Sequence, residues 1–166
     1  MVAVTTTVQP KTGLAPKRLY LIVSIAEAVT WTLLIAGMVA KYVFDFDKLI
    51  FGFGLVHGTA FVAYAATALL VGLNQRWRTP HVLGAIATAV VPYATIPVDR
   101  ALARRGMLDG GWRTVETDDP RDRTVLDRAL RWALRNPLLL ALVIVVAVAV
   151  IVTVLLQLGP PTEWGS

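Results

Sequence analysis

Residues 19–40 read LYLIVSIAEAVTWTLLIAGMVA, a run of twenty-two in which Glu27 is the single charged residue. A helix crosses the hydrocarbon core of a bilayer with ~20 apolar residues. Three more runs follow. Residues 49–75 and 79–98 contain no Asp, Glu, Lys or Arg, and residues 138–156 read LLLALVIVVAVAVIVTVLL. In lipid every backbone N–H and C=O must be satisfied within the segment, which leaves helices for runs of this length. The expected fold is therefore an all-α polytopic helical membrane bundle. It has four hydrophobic segments, the third kinked or re-entrant, and a basic amphipathic interfacial helix.

Composition agrees. Of 166 residues 16% are charged, below the ~25% usual in soluble domains, and mean hydropathy is +0.64. The net charge of +5 comes from arginines set in loops between apolar runs, which suits anionic lipid headgroups and not nucleic acid. The chain has no cysteine, which excludes disulfides, thiol catalysis and Cys-ligated metal centres. Lys11, Lys17 and Arg18 resemble the basic start of a signal peptide. The apolar run is too long for one and carries Glu27, so a retained helix is expected.

The expected organisation starts with a disordered polar tail over 1–18, followed by a three-helix membrane core over 19–106. The core helices are placed at about 19–43, 49–73 and 80–98. An Arg-rich connection over 107–136 follows, then a final transmembrane helix over 137–158 and a tail over 159–166, which GPP stops at its start. Within the connection, RDRTVLDRALRWALR (121–135) puts Val125, Leu126, Ala129, Leu130, Trp132 and Ala133 on one side at 100° per residue. Arg128, Arg131 and Arg135 fall on the other. That pattern suits a helix lying in the membrane interface, and the other reading is a helix packed on its own protein.

Charge does not fix the topology cleanly. Four spans with the N-terminus inside put five Lys and Arg inside and eleven outside, against the positive-inside rule. Two arrangements repair this. An outside N-terminus reverses the count. A third run that enters and leaves on one side leaves fourteen inside and two outside. Pro92 and Pro97 interrupt that third run. They mark either a broken helix lining a site or a helix that kinks and exits, with Asp99 and Arg100 at the headgroups.

Candidate chemistry centres on the polar residues inside the runs. A carboxylate at a helix centre costs roughly 2.5–3.5 kcal/mol on insertion scales, so Glu27 is either a proton or cation site or a hydrogen-bonded lock between helices. Ser24 and Trp31 share its face at helical spacing, and Thr30 is close. His57 sits in GLVHG, where Gly54 and Gly58 form a GxxxG pair that lets another helix approach. From the charges bracketing each run, Glu27 and His57 are about 11–12 Å apart in depth at ~1.5 Å per residue. Tyr64 or Thr67 matches Glu27 better. The second histidine, His81, falls near the opposite interface, so no haem or other cofactor is expected. No HExxH, P-loop or GxSxG elbow is present, so no metal site and no catalytic set are expected.

AEAVTW (26–31), Gly37 with Lys41 and Tyr42, VHG (56–58) and ATIPVDR (94–100) occur in an order that resembles the YdzA-like small bacterial integral membrane proteins. That family is catalogued as a domain of unknown function, family 3817. The resemblance covers about residues 18–106. It implies three membrane helices in the bacterial cytoplasmic membrane and implies no reaction. The Arg-rich connection and the last helix are additions to the family's short pattern. The expected function is that of a non-enzymatic accessory or interaction protein, packing on another membrane protein or on itself. The alternative is a small proton- or cation-coupled carrier or sensor using Glu27.

Overall fold

A computed structural model describes residues 14–158, so residues 1–13 of the tail expected over 1–18, and the tail over 159–166 with the GPP stop, lie outside the described residues; Pro16, Lys17 and Arg18 are not tail but the first turn of a helix. Among the described residues every regular element is helical: α1 Pro16–Phe44, α2 Ile50–Asn74, α3 Thr79–Thr88, α4 Thr95–Arg104, a 3-10 turn Pro120–Arg123, α5 Val125–Arg135 and α6 Pro137–Leu158. Three of them, α1, α2 and α6, are long and apolar enough to cross a membrane. The 121–135 segment is not one helix. Thr124 accepts the Asp127 N–H at 3.2 Å and caps α5, which separates it from the preceding 3-10 turn.

Helix α1 opens with Pro16, whose missing N–H is not needed there. It ends at Asp45, which turns left-handed at φ 58°. Its antiparallel packing on α2 is closest at Gly37, where a Cβ would come within 3.0 Å of the Phe53 ring. At the other end Gly72 of α2 lies under α3. A Cβ there would meet Val82 Cγ2 at 2.7 Å. The buried core joins Tyr20 of α1, Tyr64, Ala68 and Val71 of α2, Ala85 of α3, Ala89 just after it, Leu102 of α4, and Leu108.

The third run is not a single helix of spanning length. Helices α3 and α4 are ten residues each, joined by a turn over 89–94 that contains Pro92 and Tyr93 at φ 63°. Pro80 and Pro97 both stand in the first turn of their helices, where backbone N–H groups lack intrahelical partners. Proline here starts two helices; it does not kink one. Both ends of the hairpin lie at the same end of the bundle. The Trp77 indole donates to Met107 O at 2.8 Å, Lys17 pairs with Asp109 at 2.8 Å, and the Trp112 indole donates to Leu14 O at 2.8 Å. The turn lies beside Trp31, whose indole donates to Ala89 O at 3.2 Å. Trp31 is about 22 Å along α1 from Pro16.

Helix α6 has no buried residue. Val152, Leu155 and Leu156 face Ile50, Phe51, Gly54, Leu55 and Gly58 of α2 across an apolar crevice of about 300 Å³. The end of α6 thus meets the start of α2, so the two run antiparallel.

Candidate functional site

Helices α1 and α4 face each other with the same two chemistries in reciprocal order. Ser24 stands three residues before Glu27, and Thr95 four before Asp99, so each hydroxyl shares a helix face with its acid. Because the helices are antiparallel, each hydroxyl meets the other helix's acid. The Ser24 hydroxyl donates to the Asp99 carboxylate, and Thr95 Oγ1 donates to Glu27 Oε2 at 3.1 Å. All four are buried: Glu27 and Thr95 at 0% exposure, Ser24 at 2% and Asp99 at 6%.

Each acid keeps one bare oxygen. Glu27 Oε1 and Asp99 Oδ1 have no partner at hydrogen-bond geometry, although the Trp31 indole and the Tyr20 hydroxyl lie near the two carboxyls, and no ion pair among the described residues involves either acid. An ionised carboxylate without a cation is very costly to hold in an apolar interior. The arrangement is stable when its charge is removed, by a proton or by a bound cation.

Polar groups continue along α1 on either side of the acids. Toward its start, the Tyr64 hydroxyl donates to Ala85 O at 3.2 Å, which leaves the Tyr20 hydroxyl to donate to Tyr64 at 2.8 Å. Both tyrosines are fully buried. In the other direction, Thr30 Oγ1 donates to Glu27 O at 2.8 Å and lies 3.1 Å from His57 Nδ1. With the hydroxyl proton so used, that contact needs His57 in its Nδ1–H form. The His57 ring packs on Trp31 with centroids 4.2 Å apart. From Tyr20 to Trp31 the file of polar groups covers about 16 Å of α1.

These positions correct several expectations. Asp99 does not stand at the headgroups. It shares the inward face of α4 with Thr95 and Leu102, while its neighbour Arg100, 100° around the helix, is exposed. Tyr64 is level with Tyr20, not with Glu27, and His57 is level with Thr30, about 5 Å from Glu27 along the axis. Equal midpoints mislead because α1 overhangs α2: Gly37 already lies beside Ile50, and Tyr42 and Phe44 beyond it are over 70% exposed. Thr67 spends its hydroxyl on Ala63 O at 2.8 Å in its own helix. A Cβ added at Gly58 would meet nothing within 4 Å, and one at Gly54 only Leu34 at 4.0 Å, so the close approaches within the chain are at Gly37 and Gly72 instead. Thr95 and Tyr20 were not singled out by the sequence. The recurrence of a hydroxyl one turn before an acid, at Ser24 and at Thr95, was the signal for Thr95.

A second polar cluster closes the end of the bundle near Asn74. Arg113 donates to Leu73 O at 2.9 Å and to Asn74 O at 2.6 Å, capping the carbonyl end of α2, where a cation is favoured. Arg76 pairs with Asp119 and Asp122, Arg113 with Asp127 at 2.7 Å, and Arg131 with Glu116 at 3.2 Å. Arg131 is 5% exposed and donates to Asp122 O at 2.6 Å, so it faces its own protein and not the headgroups; Arg128 and Arg135 are exposed. Hydrogen bonds from the Thr117 hydroxyl and N–H, with the charges of Arg76 and Arg131, hold the Asp122 carboxyl below the usual carboxylate range. The Arg121 side chain and N–H, with Arg76, do the same for Asp119.

Residues 17–104 match the family model described as Domain of unknown function (DUF3817). A curated relative, "Putative membrane protein SCO5905" of Streptomyces coelicolor, is 36% identical over 88 residues, which is 52% of this chain. The match spans a tenth (10%) of that relative's length. No solved structure matches. The matched region contains α1 to α4 and so the whole reciprocal acid pair; α5 and α6 lie outside it.

Proposed function

The chain belongs to the DUF3817 family of membrane proteins, and from that premise we propose a non-enzymatic, multi-pass accessory protein of the bacterial cytoplasmic membrane that works through a proton-binding centre at Glu27 and Asp99. Helices α1, α2 and α6 cross the bilayer. The α3–α4 hairpin enters and leaves on the cytoplasmic side. In that arrangement fourteen lysines and arginines lie inside and two outside, as the positive-inside rule favours.

One observation carries the reading. Two buried acids on facing elements each hold one donated hydrogen bond and one bare oxygen, with no cation paired to either. Protons neutralise such a pair, and gaining or losing one changes the bonds that hold α4 against α1. The centre therefore couples protonation to the seating of the hairpin. The accessory role places a second membrane protein, or a second copy, against the side of α6 turned away from α2, since α6 has no buried residue.

Proton titration of the protein reconstituted in bilayers tests this. Wild type is expected to take up and release protons that Glu27→Gln with Asp99→Asn does not, at equal protein and lipid. Identical titration curves reject the proton centre and leave the acids as hydrogen-bonded packing. Sodium competing with those protons would favour a cation-coupled carrier instead.

A further inference from the structure

Eight of the twelve arginines fall into two contrasting sets; of the others, Arg121 pairs with Asp119, Arg135 donates to Thr114 O, and Arg100 and Arg123 are exposed. Arg76, Arg113 and Arg131 are consumed by the carboxylates of the network beneath α5. Arg18, Arg78, Arg104, Arg105 and Arg128 are exposed, and no hydrogen bond or ion pair of their side chains occurs among the described residues. All five stand at one end of the bundle, the end that holds Leu14, Asn74 and Met107, as the contacts of Trp77 and Trp112 fix.

Helix α5 lies at that same end and turns only part of its apolar stripe inward, at Leu130, which is 7% exposed. Its charged Arg131 is buried against Asp122, and Asp127 against Arg113. On the outside are Val125 at 74% exposure, and Leu126 and Trp132 at 59% each. A helix on a water-facing surface buries its apolar stripe. One in the membrane interface sinks that stripe into the headgroup and acyl boundary. Connectivity sets the depth: α5 ends at Arg135, and α6, the most apolar spanning helix, begins at Pro137. The chain cannot carry α5 far from the surface that α6 enters.

We infer that this end of the molecule is a binding surface for anionic phospholipid headgroups. The α5 apolar stripe is sunk at the boundary, and the unpaired arginines take the phosphates. The carboxylate network under α5 neutralises the inner arginines and sets the height of the helix; the outer arginines have no carboxylate among the described residues to satisfy them. Charge complementarity selects the occupant, because an anionic leaflet supplies what these side chains lack. The surface is independent of the acid pair.

Two measurements on the full chain test it. The first is binding of short-chain phosphatidylglycerol and phosphatidylcholine to the detergent-solubilised protein. Salt-sensitive preference for phosphatidylglycerol is expected. It should fall on the order of a hundredfold in Arg104→Gln, Arg105→Gln, Arg128→Gln, since each arginine near an anionic surface contributes about fivefold. Equal affinity for both lipids, or full competition by inorganic phosphate, overturns the proposal. The second needs no charge removal. The chain lacks cysteine, so a spin label can be placed singly at Leu126→Cys in phosphatidylglycerol-containing vesicles. Ready collision with dissolved oxygen over a water-soluble nickel reagent is expected. A label open to the nickel reagent, or shielded from both by another protein surface, overturns it.

Discussion

Glu27 and Asp99 each accept one hydroxyl and leave one oxygen bare, so their supports can be removed without touching the acids. Ser24→Ala and Thr95→Val each strip a donor from a buried carboxyl. Leaving a buried polar group unsatisfied costs about 1–3 kcal/mol, so either variant is expected to lower the unfolding temperature in detergent. Because the two bonds join the same pair of helices, the double variant should depart from additivity; an additive double variant would mean the two bonds are not coupled. Glu27 stood out in the sequence because a charge inside an apolar run has no bland explanation at the surface. Asp99 did not. Next to Arg100, at the end of a run, it has the pattern of a headgroup ion pair, and only the facing of α4 turns one residue inward and its neighbour outward. Tyr20 was hidden in the same way, at the start of a run where an interfacial tyrosine is ordinary.

Glycine and proline carry the geometry of the helices. Gly72 lies under Val82, a stiff β-branched side chain, so Gly72→Ala should overpack the α2–α3 contact at about 1–3 kcal/mol. Gly58→Ala meets open space and should stabilise α2 by about 1 kcal/mol through helix propensity. Thermal unfolding of the two variants should move in opposite directions, and a destabilising Gly58→Ala would refute the packing described here. A GxxxG spacing is visible in sequence, but which glycine meets a neighbour depends on the rotation and register of two helices. The lengths of the apolar runs located α1, α2 and α6. They did not give the overhang of α1, because residues 38–44 carry Lys41 as their single charge among apolar residues and extend the run without a break. The two helices of the third run were hinted at by Pro92 and Pro97, whose position in a first turn or a loop needs the backbone to decide. The segment between α4 and α5 carries a pH prediction. The carboxyls of Asp119 and Asp122 sit below their ordinary range in the folded protein, so their bonds add stability above about pH 4, where unfolded carboxyls are ionised. That stability is lost as pH falls through the depressed values. Hydrogen-exchange protection over residues 110–124, taken relative to the intrinsic rate at each pH, should fall only in strong acid; a fall already near neutral pH would contradict the network.

The proposed topology of three spanning helices and a hairpin would put the turn at 45–48 and the Arg-rich connection on opposite faces of the membrane. Four spans would put them on the same face. The cysteine-free chain permits a direct check. Asp47→Cys is expected to react with an impermeant maleimide in intact cells, and Arg123→Cys only after permeabilisation. Labelling of both from one side would restore the four-span arrangement. Within this topology the acid pair lies buried between α1 and the hairpin. Infrared spectroscopy in bilayers across a pH series reads that centre directly. A proton-binding pair at Glu27 and Asp99 predicts a protonated carboxyl band that disappears as pH rises and is lost or halved in Glu27→Gln and in Asp99→Asn. A spectrum in which neither substitution removes a titrating carboxyl, with both variants folded, would contradict it.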